Sequence, residues 1–218
     1  MNMPQDLLES PIRWSTLTSS EPETVTEKPT QGVRTEEGPW CNGVLTLTKQ
    51  LGRLDVVYSV DMQESPFPDA GRFSDVLQFL EELYPKFNSL SAPRVGFGGV
   101  VFLPVADRGE GYERLKEFLP FLSIEDDMRD LYLQVNRQRD SDIDVKINNI
   151  SKWSSVEIKV LEIRSDGASG EVGSANAVRL EFDINTADGM NIPDGVSNEL
   201  VLRYLTSQSK ALMMDGAI

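Results

Sequence analysis

Between residues 131 and 184 apolar residues recur mostly at every second position, in the runs 131–135, 144–150, 153–163 and 177–184. A two-residue period marks strands that bury one face. Apart from a Gly/Ser-rich connection at 165–174, the runs are separated by short turns. A parallel pair needs a crossover of a dozen or more residues, so the strands are expected to pair antiparallel. The first half shows the same habit. Runs 44–48 and 54–60 flank a five-residue connection that contains Gly52, as a hairpin requires. Residues 94–105 (RVGFGGVVFLPV) read as a further strand.

Three helices are expected beside these strands. Phe73, Val76, Leu77, Leu80, Leu83, Tyr84 and Phe87 follow 3–4 spacing, with Pro85 ending or bending the helix near Tyr84. Residues 110–119 place Tyr112, Leu115, Phe118 and Leu119 on a second, shorter helix, and 196–213 place Leu200, Tyr204, Leu205, Gln208 and Leu212 on a third. Strands joined by turns with three one-stripe helices predict an α+β fold. The expected form is a mainly antiparallel β-sheet with about three helices packed on one face. Residues 1–40 predict an extended N-terminal arm, because Ser, Thr, Pro and Glu dominate 15–38 and offer little apolar surface to offset ordering entropy. Leu7, Leu8, Ile12, Trp14 and Trp40 are its candidate anchors. Residues 41–218 then form a single α+β domain, in which the halves 41–122 and 128–218 leave a degenerate duplication open.

Composition narrows the function. Of 218 residues 39% are hydrophobic, enough for a globular core, while 35 acidic against 21 basic residues give a net charge of −14. That field repels phosphate backbones and anionic membrane surfaces, so neither nucleic acid nor membrane is expected as a partner. Cys41 is the single cysteine and histidine is absent. An intrachain disulfide, a thiolate metal cluster and any triad or zinc site built on imidazole are thereby excluded. Without a basic segment leading into an apolar run, or any window near the ~18 apolar residues of a span, a soluble cytoplasmic protein is expected.

No motif states a chemistry. Gly96, Gly98 and Gly99 resemble a phosphate loop superficially, but a strand continues where that loop needs a helix N-terminus, so these glycines are expected to admit a neighbouring backbone or a large side chain. Asp144 followed by Glu157 and Lys159 has the loose spacing of a metal-dependent nuclease. Alternation places Glu157 and Lys159 on an ordinary charged strand face, opposite Val156, Ile158 and Val160. More informative are polar residues inside the strand runs: Gln134 and Asn136 opposite Leu133 and Val135, then Arg137 and Arg139, and Arg179, Glu181 and Asp183 opposite Leu180, Phe182 and Ile184. Two arginines beside amides can clamp an anion bidentately, or pair with Asp140, Asp142 and Asp183.

Around these residues the chain resembles a family of sporadically distributed, uncharacterised bacterial proteins of similar length. The shared stretches are 136–141 (NRQRDS, with Gln138 where the pattern carries Pro), 147–154 (INNISKWS) and 180–186 (LEFDINT). The resemblance implies no activity. A sporadic distribution implies an accessory component of a mobile or defence-type operon.

The expected function is a non-enzymatic binding or protein-interaction module, whose partner is another protein or a small anionic ligand. The candidate ligand- or partner-binding residues are Asn136, Arg137, Arg139, Asn148, Lys152, Trp153, Asp183 and Asn185, at one end of the sheet. No catalytic residue, metal ligand or cofactor is expected. The alternative is an enzyme or small-anion-binding protein in which this cluster converges in a pocket. A pocket with unspent hydrogen-bonding capacity would favour that alternative, and mutual pairing across the strands would favour a structural network.

Overall fold

The strands assemble into two antiparallel sheets of four strands each. The computed structural model describes residues 11–61, 67–125, 127–163, 169–188 and 192–217. The chain divides into two units, residues 1–62 with 68–91 and residues 63–67 with 92–218. The class is the expected α+β with mainly antiparallel sheet. The expected single sheet with three helices on one face is corrected to two sheets, each with its own helices.

The first unit is a meander, β1 (Thr24–Lys28), β2 (Val33–Trp40), β3 (Gly43–Gln50) and β4 (Arg53–Ser59), in that spatial order. Its helices are α1 (Trp14–Thr18) and α2 (Phe73–Glu81), with a 3-10 turn at Tyr84–Ser89 that carries Pro85. Much of the expected extended arm is therefore helix and strand. β1 escaped the pattern because all five of its residues are exposed. β2 escaped because its core-facing positions hold Arg34, Glu36 and Gly38 in place of apolar residues. Those three are opposite Lys49, Leu47 and Leu45, whose side chains are fully buried. Ile12, Trp14, Leu17 and Leu83 complete this core, with Trp40 and Leu80 partly buried against it. Gly38 is there because Trp14 is: a Cβ at Gly38 would come within 2.9 Å of the indole. Leu7 and Leu8 lie outside the described residues.

Glu36 holds this end of the sheet together. Its carboxylate accepts the Trp14 backbone N–H at 2.6 Å and the Arg34 Nε–H at 2.7 Å, with the Arg13 guanidinium at 3.9 Å. Burial pushes the carboxyl up, but the Trp14 N–H and Arg34 together hold it below its ordinary value.

The second unit contains β5 (Gly96–Val105), α3 (Arg108–Phe118), β6 (Tyr132–Asp140), β7 (Lys146–Ile163), β8 (Ser169–Thr186) and α4 (Asn198–Asp215), with strand order β5-β8-β7-β6. β7 is one strand of 18 residues, so the two runs read from sequence are continuous and Lys152 and Trp153 lie within it, not between strands. Residues 169–174 of the Gly/Ser-rich stretch likewise extend β8. The helices have strong starts. Asp107 accepts the Glu110 N–H at 2.9 Å while Glu110 Oε2 accepts the Ala106 N–H at 2.7 Å, and Ser197 accepts the Leu200 N–H at 3.1 Å. On β8, Val178, Leu180, Phe182 and Ile184 are buried, as the alternation predicts, against Tyr112 and Leu115 of α3 and Val201, Leu205 and Leu212 of α4 among the core residues. The buried face of α4 is carried by Val201, Leu202, Leu205, Ser209 and Leu212, whereas Leu200 is exposed. The β5 glycines serve packing: a Cβ at Gly99 would come 3.2 Å from the Phe182 ring.

Candidate functional site

Strand register distributes the expected site residues over two faces of the second sheet. Across β6, β7 and β8 the rows run Gln138–Asn148–Asn185, then Asn136–Ile150–Asp183, then Gln134–Lys152–Glu181. The intervening rows run Arg139–Ile147–Thr186, Arg137–Asn149–Ile184 and Leu133–Trp153–Leu180. The second set shares its face with the buried residues of β8 that α3 and α4 cover. Asn136, Asn148, Lys152, Asp183 and Asn185 therefore lie on one face, and Arg137, Arg139 and Trp153 on the other. The expected convergence of Arg139 with Asp183 does not occur. The reason is parity: Arg137 and Arg139 continue the period of Leu133 and Val135, so they belong to the apolar face of β6.

On the first face polar groups satisfy one another. Gln138 Nε2 donates to Asn148 Oδ1 at 3.0 Å, Asn148 Nδ2 to Asn185 Oδ1 at 3.2 Å, and Asn185 Nδ2 to Asp183 Oδ1 at 2.8 Å. Lys152 Nζ and Arg179 both reach Glu181 at 2.5 Å. The hydrogen bond with Glu181 raises the Lys152 ammonium, and those from Lys152 and then Arg179 lower the Glu181 carboxyl. This is a cross-strand ladder, the arrangement expected of a structural network. Asn148→Ala should then cost about 1–2 kcal/mol in denaturant melts, because it leaves the buried Asn185 amide without its donor. A loss near zero would mean that water replaces the bond.

The other face borders a partly open cavity. About 290 Å³ is bounded by Arg137, Arg139, Asn149 and Ser151 of the sheet and by Gln208, Leu212 and Asp215 of α4, with the backbone of residues 216–217 closing one side. Its walls are positioned by the end of α4. Gly216 takes φ 74° and ψ −160°, and a Cβ there would meet the Phe118 carbonyl oxygen at 2.0 Å, so only glycine lets the chain turn back onto α3. The Ala217 N–H then donates to the Phe118 carbonyl at 3.0 Å, and Arg137 Nε donates to the Ala217 carbonyl at 3.0 Å. The Arg137 guanidinium also lies over the Phe121 ring, 5.5 Å from its centroid.

Unspent capacity is found on this side. Asn149 Oδ1 is buried in the cavity wall with no hydrogen-bond partner. An orphaned buried acceptor costs about 1–3 kcal/mol. Trp153 plays no part in the cavity: it is 1% exposed and stacks on Phe118 with centroids 5.3 Å apart, as a core residue.

The remaining motif separates. Asp144 lies in the turn before β7 and Glu157 lies thirteen residues further on, an extended span of roughly 40 Å at about 3.3 Å per residue. The nuclease spacing therefore does not converge, and Glu157 and Lys159 pair loosely with each other at 3.9 Å. Among the described residues no group of three or more Asp, Glu, Cys or His side chains is placed to hold a metal ion. No helix among them is long and apolar enough to cross a membrane.

Asn149, Ser151, Gln208 and Asp215 were missed as site residues. A signal existed for two of them: Asn149 and Ser151 occupy the same alternating positions as Ile147 and Trp153, so they are polar side chains on the buried face of a strand. Gln208 falls on the expected stripe of α4 and Asp215 lies beyond the expected end of that helix, so neither stands out as a site residue. Comparison with known protein families, with curated proteins and with solved structures found no match to this chain.

Proposed function

We propose that the chain is a binding module that takes up a small anionic ligand in the cavity between α4 and the β6–β7 end of the second sheet. One observation carries this reading: the guanidinium-bearing side chains of Arg137 and Arg139 line the same partly open cavity. The ladder on the opposite face has spent its capacity internally and supports no such role. Guanidinium groups recognise carboxylate and phosphate through planar, charge-assisted hydrogen bonds, and in a protein of net charge −14 a basic concavity is where an anion would be held. The volume lies at the small end of ligand sites, so the ligand is a metabolite-sized molecule and not a polymer segment.

Arg139→Gln tests the reading. Arg137 has a structural bond to Ala217, and Arg139 is exposed at the mouth. The variant should melt within about 1 kcal/mol of wild type, as for an exposed side chain with a surface interaction. Inorganic phosphate or small carboxylates should raise the melting midpoint of wild type and leave that of the variant unchanged. A variant that unfolds easily, or a wild type indifferent to every small anion, would assign Arg139 to structure alone.

A further inference from the structure

Each sheet leaves two strands at its edges, β1 and β4 in the first and β5 and β6 in the second. An edge strand offers unpaired backbone groups to any other chain, and charged side chains are the usual guard. β1 carries Glu27 and Lys28, β4 carries Arg53 and Asp55, and β6 carries Arg137, Arg139 and Asp140. β5 has no charged residue, in a chain of which 26% is charged. Two of its large apolar side chains face solvent, Val100 at 46% exposure and Leu103 at 42%.

The pairing with β8 fixes where the backbone groups of β5 point. Just before the strand, the Val95 carbonyl accepts the Thr186 N–H at 2.9 Å. Successive strand residues turn their N–H and C=O groups to opposite sides, so Phe97, Gly99, Val101 and Leu103 address β8, while Gly96, Gly98, Val100, Phe102 and Pro104 point outward. Pro104 fits this assignment, because on the outward side its missing N–H costs the β5–β8 ladder no bond. Among the described residues no backbone hydrogen bond from another segment reaches the outward groups. Phe67 packs on the Phe102 ring with centroids 5.3 Å apart, on a face of the strand.

We propose that β5 is a homodimer interface: it pairs with β5 of a second copy, antiparallel about a two-fold axis at Val100, and so joins the two second-unit sheets into one. The distribution of bulk selects a second copy as the occupant. The strand is light at one end, with Gly96, Gly98 and Gly99, and heavy at the other, with Val101, Phe102 and Leu103. A two-fold axis sets the light end of each copy against the heavy end of the other: Gly98 faces Phe102, Gly99 faces Val101, and Val100 faces its own counterpart. In that register the outward-pointing residues meet one another and exchange N–H and C=O groups, save for the missing N–H of Pro104. No like charges are brought face to face, although each copy carries −14. The pairing closes on itself, so the uncharged edge is covered and assembly stops at the dimer. It makes no use of the cavity beside α4.

The test is sedimentation velocity of the full chain over a concentration series. Wild type should pass from monomer to dimer, and added salt should favour the dimer by screening the net charge. Val100→Lys sets two ammonium groups opposite each other at the axis, and should weaken association roughly tenfold or more while leaving the circular dichroism spectrum unchanged. Val57→Lys, at the 52% exposed valine of edge strand β4, should leave the dimer intact. Geometry is tested in a Cys41→Ser background. Val100→Cys should form an intermolecular disulfide under mild oxidation, since opposed residues of a hydrogen-bonded pair have Cα atoms about 5.5 Å apart, inside disulfide range. Leu103→Cys should not, because the symmetry separates its two copies by roughly 20 Å along the strand at about 3.3 Å per residue. A wild type that stays monomeric at every concentration and salt would overturn the dimer. A dimer that Val100→Lys leaves intact, or that Leu103→Cys crosslinks in preference to Val100→Cys, would overturn this edge and register as its interface.

Discussion

Replacing Glu36 with alanine should lower the unfolding free energy by about 3–5 kcal/mol, one of the largest losses expected from a single polar substitution in this protein. Glu36 is 3% exposed, and it accepts the backbone N–H that opens α1 as well as the Arg34 guanidinium. The fully buried Lys49 lies on the same face of the sheet, and Arg13 is at 3.9 Å. Taking the carboxylate away leaves the buried Lys49 and the partly exposed Arg13 and Arg34 without their shared counter-charge, and orphans the Trp14 N–H. Both effects act in the same direction. Glu36→Gln keeps an acceptor for Trp14 while losing the charge, so its loss should be smaller than that of alanine. Denaturant melts followed by tryptophan fluorescence would report both, since Trp14 is in this core. A loss under 1 kcal/mol for Glu36→Ala would show that solvent screens the cluster.

That cluster also explains where the sequence was legible and where it was not. Alternation found β3, β4, β5 and β8 because their inward positions are apolar: Leu45 and Leu47, Val56, Val101, then Val178 to Ile184. β2 was invisible because its inward positions are Arg34, Glu36 and Gly38, whose fitness for a core depends on Trp14 and Lys49 arriving from elsewhere in the chain. The site follows the same logic. Asn136, Asn148, Asp183 and Asn185 were correctly read as unusual strand residues, and three of them do meet, yet they meet to satisfy each other. Arg137 and Arg139 were read with them because neighbours in sequence were treated as neighbours in space, when adjacent strand residues point to opposite faces. Asp215 could not be read at all, and Gln208 was read only as a member of the expected α4 stripe: what makes them cavity residues is the turn at Gly216 that folds the end of α4 against Phe118.

Stability should rise with pH above neutrality, and Lys49 is the reason. Its side chain is fully buried; burial, then the nearby Arg13, outweigh the attraction of Glu36 and bring its pKa from 10.5 down to about 8. Between about pH 8 and 10.5 the unfolded chain keeps the lysine proton that the folded chain has released. The unfolded state then binds more protons, and unfolding free energy increases with pH. The full shift corresponds to at most about 3.5 kcal/mol at roughly 1.4 kcal/mol per pKa unit. Cys41 acts in the opposite sense: burial raises its thiol, so the folded form resists ionising and loses stability as pH climbs past the ordinary cysteine value. Tyr58 and Tyr204, also raised by burial, add to that loss only above about pH 10. The comparison that isolates Lys49 is therefore wild type against Lys49→Met, melted in parallel from pH 7 to 10. The difference in unfolding free energy between the two should grow in favour of wild type as pH rises, since only wild type has the lysine to neutralise. Parallel pH curves for the two proteins would show that Lys49 keeps an ordinary pKa in the fold, and that solvent or a further carboxylate reaches it.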